Sequence, residues 1–144
     1  MSNRLTIREI RDFIAYNISG SENLIYSNFI DRNSDKSIGI FSGPESRASK
    51  VETLGGDKFA TTKVYPANII IRWTEDSDVC EARAVEFYDM LNEFGDNFPI
   101  RLNDSLAVQV AFIQMLDEQP VWLGRTNDNV CEFIIRINIH YYCN

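Results

Sequence analysis

The chain is short of the residue types on which much of enzymology depends. It has one histidine and three cysteines in 144 residues, and the cysteines (Cys80, Cys131, Cys143) form no CxxC pair. A structural zinc site or a redox dithiol is therefore not expected. No GxSxG elbow, HExxH helix or phosphate-cradling glycine loop is present, and Gly55-Gly56 lacks the following lysine and helix. No apolar run approaches the roughly 18 residues that a membrane span needs. The start of the chain, Met1–Arg11, is charged and poor in apolar residues, unlike a secretory signal. The reading is an intracellular, soluble protein with reduced thiols, so Asn17-Ile18-Ser19 and Asn103-Asp104-Ser105 carry no meaning as glycosylation sites. A basic stripe, the footprint of a nucleic-acid binder, is also missing.

Other signals are incomplete. Asp31-Arg32-Asn33-Ser34-Asp35 opens like a calcium loop, but Lys36 stands where glycine is required and Ser42 where a bidentate glutamate belongs. Calcium is not expected there. The lone histidine, His140, falls on the polar side of an alternating segment, where a surface or pairing role is favoured over catalysis. No cofactor, metal or catalytic residue is assigned.

What is present suits one domain. A chain of this length can bury roughly two thirds of its unfolded surface, and 44% hydrophobic with 24% charged residues is ordinary for a globular protein. The formal charge of -7 is local: residues 75–96 hold eight acids against one base, Arg83, and the remainder cancels. Residues 32–63 are mildly basic, with Arg32, Lys36, Arg47, Lys50, Lys58 and Lys63 against four acids.

Local patterns predict the elements. Thr6 and Glu9 form a capping box with Leu5 as staple, opening a helix whose apolar face is Ile7, Ile10, Ile14 and Ile18, closed by Gly20. Leu24–Tyr26 and Ile38–Phe41 read as two short strands around a tight polar loop. Residues 43–66 fit a mobile arm or a long hairpin. Asn68–Trp73 reads as a buried strand. Thr74 to Asp78 supply cap residues for a second helix with the stripe Cys80, Ala84, Phe87, Leu91 and Phe94, and with Asp78, Glu86, Asp89 and Glu93 on its far side. Cys80 and Cys131 thus read as core residues.

In the last third, Val108, Val110 and Phe112 alternate with Gln109 and Ala111, Gln119-Pro120 breaks the strand, and Gly124 to Asn129 form a turn cluster. Finally Cys131, Phe133, Ile135, Ile137, Ile139 and Tyr141 face one way. Glu132, Ile134, Arg136, Asn138, His140 and Tyr142 face the other, a mixed surface suited to solvent or a partner. The expected fold is α+β, a mainly antiparallel sheet with two helices on one face.

Several segments share a likeness. Residues 22–41 (Glu-Asn-Leu-Ile-Tyr through Ile-Gly-Ile-Phe), Ile69–Trp73 with the acid-capped helix after it, and Pro120-Val121-Trp122-Leu123-Gly124-Arg125 followed by Asn127-Asp128-Asn129 and the strand ending Tyr141-Tyr142 resemble, in order and spacing, the minor capsid or tail-terminator proteins of long-tailed bacteriophages. Asn129 stands where that family's turn has glycine, a substitution asparagine tolerates in the left-handed conformation.

The resemblance implies a structural protein of the virion, made in the bacterial cytoplasm: a homo-hexameric ring at the head-proximal end of the tail. Such a ring would contact the tail-tube protein and the head-side connector, with neither membrane nor sequence-specific nucleic acid as partner. Its subunit or tube contacts are expected among Arg32, Lys36, Arg47, Lys50, Lys58, Lys63, Asp78, Glu86, Asp89, Glu93, Arg136 and His140. The acidic helix face and the basic 32–63 segment are candidates to meet between adjacent subunits. Another head–tail neck protein, or a small bacterial ligand-binding or regulatory domain, remain the alternatives.

Overall fold

The computed structural model describes residues 5–17, 24–43, 62–93, 100–101 and 108–143. Two helices, α1 (Ile7–Asn17) and α2 (Ser77–Glu93), accompany seven strands: β1 (Ile25–Ser27), β2 (Lys36–Ser42), β3 (Thr62–Trp73), β4 (Ile100–Arg101), β5 (Val108–Met115), β6 (Val121–Arg125) and β7 (Cys131–Cys143). They form a single sheet in the order β1-β2-β3-β7-β5-β4, with β6 also pairing β7. Every pairing but β1 with β2 is antiparallel. The protein is α+β, as its patterning implies.

Both helices start as their sequences dictate. The Glu9 N–H donates to the Thr6 hydroxyl at 3.4 Å, while that hydroxyl donates to the Glu9 carboxylate at 2.8 Å, a closed cap of slightly different wiring from the usual box. Asp76 caps α2, its carboxylate accepting the N–H groups of Asp78 (2.9 Å) and Val79 (3.4 Å). The inward residues of α2 (Cys80, Ala84, Phe87, Leu91) are fully buried; Phe94, like Ile18 and Gly20 after α1, lies outside the described residues.

One core unites the pieces. Ile10, Phe13 and Ile14 of α1 and the α2 stripe pack on Ile38, Ile40, Ile69, Ile71 and the odd-numbered side of β7 from Cys131 to Tyr141. The six residues assigned to that side are all buried.

Four features go beyond the patterning. The two short strands around the polar loop pair in parallel: β1 runs alongside β2, with Ile25 opposite Ile38 and Ser27 opposite Ile40. Asn28, at φ 52°, reverses the chain, its N–H donating to the Ile40 carbonyl at 2.7 Å and its side chain accepting from the Ser42 N–H at 3.1 Å. The chain then returns across the outer side of β2, where Asp31 N–H meets the Ser37 hydroxyl at 2.9 Å. Gly39 makes room for this: a Cβ there would lie 2.6 Å from the Phe29 carbonyl oxygen. Parallel strands ordinarily need a long crossover; three residues of β1 and this close backbone passage let a short one serve.

Second, Thr62–Pro66, within the stretch 43–66 read as a mobile arm or a long hairpin, belong to β3 and pair with β7. Pro66, with no N–H to give, stands one residue past the last β2 partner, Ala67. Residues 44–61 lie outside the described residues. Third, the alternation in β5 is interrupted: a register shift between Val110 and Phe112 places Phe112 opposite His140 and Ile113 opposite Ile139, so Ile113 enters the core and Phe112 stays 41% exposed. Fourth, Gly124 and Arg125 extend β6, and the turn proper is Thr126 to Val130, with Asn129 at φ 68°. The asparagine does adopt the left-handed conformation.

Candidate interaction surface

The outer side of the sheet is built from two different chemistries. At one end sits Arg72, a single guanidinium on the buried strand β3 with 1% of its surface exposed. It donates to the carbonyls of Ser34 (2.8 Å) and Arg32 (3.3 Å), to the Thr126 hydroxyl (3.0 Å) and, in a fork, to the Asp128 carboxylate. Glu132 lies 3.9 Å away and pairs with Arg32 at 3.0 Å. Arg72 thus ties the β1–β2 loop and the β6–β7 turn to the middle of the sheet. The three segments that carry the family likeness in the sequence meet at this residue.

The Asp128 carboxyl is pushed down to about 2, first by its hydrogen bond from Arg72 and next by that from Thr126. A carboxyl held below its ordinary value of 3.8 stabilises the fold above that value and loses the contribution as pH falls towards 2. Asp128→Asn is therefore expected to be less stable than the wild type at neutral pH, with the difference shrinking through acid titration between those limits. Thermal unfolding at a series of pH values checks this; a difference independent of pH would show that the charge is not what matters.

At the other end, the polar side of β7 departs from the expectation of an open surface. His140 is 2% exposed and Asn138 is fully buried, and Glu132, back beside Arg72, is 8% exposed, whereas Arg136 is exposed and held in a two-pronged pair with Asp117 at 2.9 and 2.7 Å. The His140 ring contacts Gln114 Oε1 through Nε2 at 2.9 Å and stacks on Phe112 at 4.1 Å. Burial lowers its pKa. The pairing role expected of this histidine holds and the surface role does not, so it drops out as a partner contact. Cysteines 80 and 131 are free and buried, as read, and burial followed by the neighbouring Cys131 raises the Cys80 thiol to about 11.

The other contact candidates divide by what they already touch. Asp78, Glu86, Asp89 and Glu93 are all exposed on α2, with Glu86 paired to Arg83 at 3.0 Å. Lys36 lies 5.4 Å over the Trp73 ring, whose other neighbour is Arg83 at 4.9 Å. Arg32 is held by Glu132, and Lys63 lies half-buried on β3. Arg47, Lys50 and Lys58 lie outside the described residues. Within the chain, the basic segment and the acidic helix face are not brought into salt bridges with each other among the described residues.

Sequence reasoning passed over the most conspicuous surface. Among the described residues strand β6 pairs only with β7, and Val121, Trp122 and Leu123 on it are 41%, 47% and 48% exposed. Trp122 leans edge-on to Phe133 at 5.2 Å and, with Ser77, Asp78 and Glu81 of α2, borders an open cleft of about 330 Å³. Three consecutive exposed apolar side chains on an edge strand are unusual, because an edge with that composition invites another chain. The signal was in the sequence as Pro120 followed by Val-Trp-Leu, too short to carry a periodicity that would tell inside from outside.

No protein-family model matches the chain, and no curated protein matches it. Among the described residues, no helix is long and apolar enough to cross a membrane, and no group of three or more histidine, cysteine or acidic side chains could hold a metal ion. What the described surface offers is a contact edge: apolar side chains on β6 beside the acidic first turns of α2.

Proposed function

We propose that this chain is a structural assembly protein, the subunit of a ring that ends tail-tube growth in a long-tailed bacteriophage and offers the surface to which the head side joins. The observation that carries the reading is the apolar edge of β6, unpaired among the described residues and set against an acidic helix, a surface whose chemistry favours association over catalysis. The segments resembling tail-terminator proteins support the more specific assignment. Arg72 joins those segments by hydrogen bonds, an arrangement in keeping with the proposal. The buried, stacked His140 removes the one imidazole that could have served as a general base at the surface.

Light scattering over a concentration and salt series tests assembly, with a discrete six-subunit species expected. A stable dimer at every concentration would instead favour the ligand-binding or regulatory alternative. Adding the protein to polymerising tail-tube protein then separates terminator from connector: tubes are expected to stop at the added ring. Tubes of unchanged length, with binding to the portal-side adaptor, would assign the chain to the connector side of the neck.

A further inference from the structure

The sheet ends in two unlike surfaces. On β6 stand the exposed Trp122 and Leu123, and Trp122 shares an open cleft with Asp78 and Glu81 of α2. At the opposite edge, α1 and β1 enclose an open groove of about 280 Å³ whose walls include Arg8, Arg11, Tyr26 and Phe29. Tyr26 and Phe29 meet edge-to-face at 5.3 Å, and Phe29 is 53% exposed. Arg8 is exposed and has no ion pair among the described residues; Asp12, the one acid among the described residues lining the groove, is paired with Arg11 at 3.0 Å. The groove therefore carries a net positive charge and an exposed aromatic floor, and the β6 side carries two carboxylates and an exposed indole. The two surfaces are opposite in charge beside exposed aromatic rings, and the cation on β6, Arg125, is turned to the Glu75 carbonyl.

We propose that these two surfaces bind each other between copies of this chain, the β6 edge of one subunit seating in the α1–β1 groove of the next. The inference rests on the assembly reading above and names its subunit contact. Trp122 and Leu123 lie against Tyr26 and Phe29, the indole face meets the Arg8 guanidinium, and Asp78 and Glu81 complete the cation's partners. The contact is made by side chains and not by strand addition, because Arg11 Nε already donates to the Ile25 carbonyl at 2.8 Å and so blocks part of the β1 edge. Since the two surfaces differ and sit at opposite edges, the contact is head-to-tail. Repeated, such a contact closes into a ring if its rotation permits and otherwise runs on as a filament.

This contact also supplies a different counterpart for the acidic helix from the 32–63 segment. Arg32 and Lys36 of that segment already have intramolecular contacts and Lys63 lies half-buried on β3, whereas Arg8 is exposed and has no ion pair among the described residues.

Disulfide trapping tests the geometry. In a Cys143→Ser background, with the two remaining cysteines buried, Phe29→Cys and Leu123→Cys are made separately and together. Mixing the two single variants under mild oxidation is expected to give a linked dimer of unlike chains. The double variant is expected to give a ladder of multimers, and neither single variant alone should cross-link. Arg8→Glu should lower the mixed yield by about tenfold, through like charges brought face to face, and Arg8→Glu combined with Glu81→Arg should recover it. Self-linked Leu123→Cys dimers would overturn the proposal in favour of a twofold contact. Multimers in light scattering without any Phe29–Leu123 link would overturn this contact while leaving the assembly reading intact. A protein that stays monomeric, fails to link and does not stop growing tubes would overturn both.

Discussion

Arg72→Met is expected to destabilise the fold by about 3–5 kcal/mol, the usual consequence of removing one partner from a buried charged network. The loss has identifiable parts. The carbonyls of Ser34 and Arg32 lose a donor, Thr126 is left with the Val130 N–H and Asp128 with the Thr126 hydroxyl, and Glu132, only 8% exposed, keeps only the peripheral Arg32. Each buried acceptor left without a partner costs more than the hydrogen bond had contributed net. Urea unfolding measures the effect as a lower midpoint with an unchanged slope. A companion variant sharpens the interpretation: Arg72→Met with Glu132→Leu should recover part of the loss, because removing both charges also removes the stranded carboxylate. A shift below about 1 kcal/mol for Arg72→Met alone would mean that the loop and turn are held by other contacts.

Phe87→Ala is expected to cost about 3–5 kcal/mol, and Val85→Ala, two residues away on the same helix, to stay within about 0.5 kcal/mol. Phe87 is fully buried between α2 and the sheet, while Val85 is 40% exposed. The contrast comes from helix geometry: a step of two residues turns the side chain by about 200°, from the core to the far side. Thermal or urea unfolding of the pair checks the seating of α2 directly. Equal losses at the two positions would place Val85 against another surface and reopen the question of which face of α2 is covered.

Much of this architecture was legible in advance, and the legible parts share a cause. Capping at Thr6 and Asp76, the stripe Cys80–Ala84–Phe87–Leu91 and the six inward residues of β7 depend on relations within a few residues, where helical or strand periodicity and hydrogen-bond reach suffice. Asn129 belongs here too, since its left-handed conformation is a local property of a turn and of an asparagine side chain.

The misread or missed features depend on what lies across the sheet. The alternation of β7 told apart its two sides but not that Asn138 and His140 on the polar one would be buried, because cover comes from chain distant in sequence. One extra residue in β5 was enough to move Phe112 out of phase with the valines before it. The direction of β2 relative to β1 was not legible, because a polar loop between two apolar runs has the same composition whichever way the second strand runs. The reversal at Asn28 and the passage over Gly39 decided for parallel.

By itself, then, the sequence determined the α+β class, where the helices begin, the inward side of α2 and of the last strand, and the concentration of negative charge on one helix. Only the tertiary structure decided that Arg72 is a buried junction, that β1 is parallel, that His140 is enclosed, and that Val121, Trp122 and Leu123 are left at an open edge. The physical reason is the range of the interactions. Caps and periodic faces are settled within one or two turns of chain, whereas burial of a charge and exposure of an apolar strand depend on which neighbours the completed sheet provides.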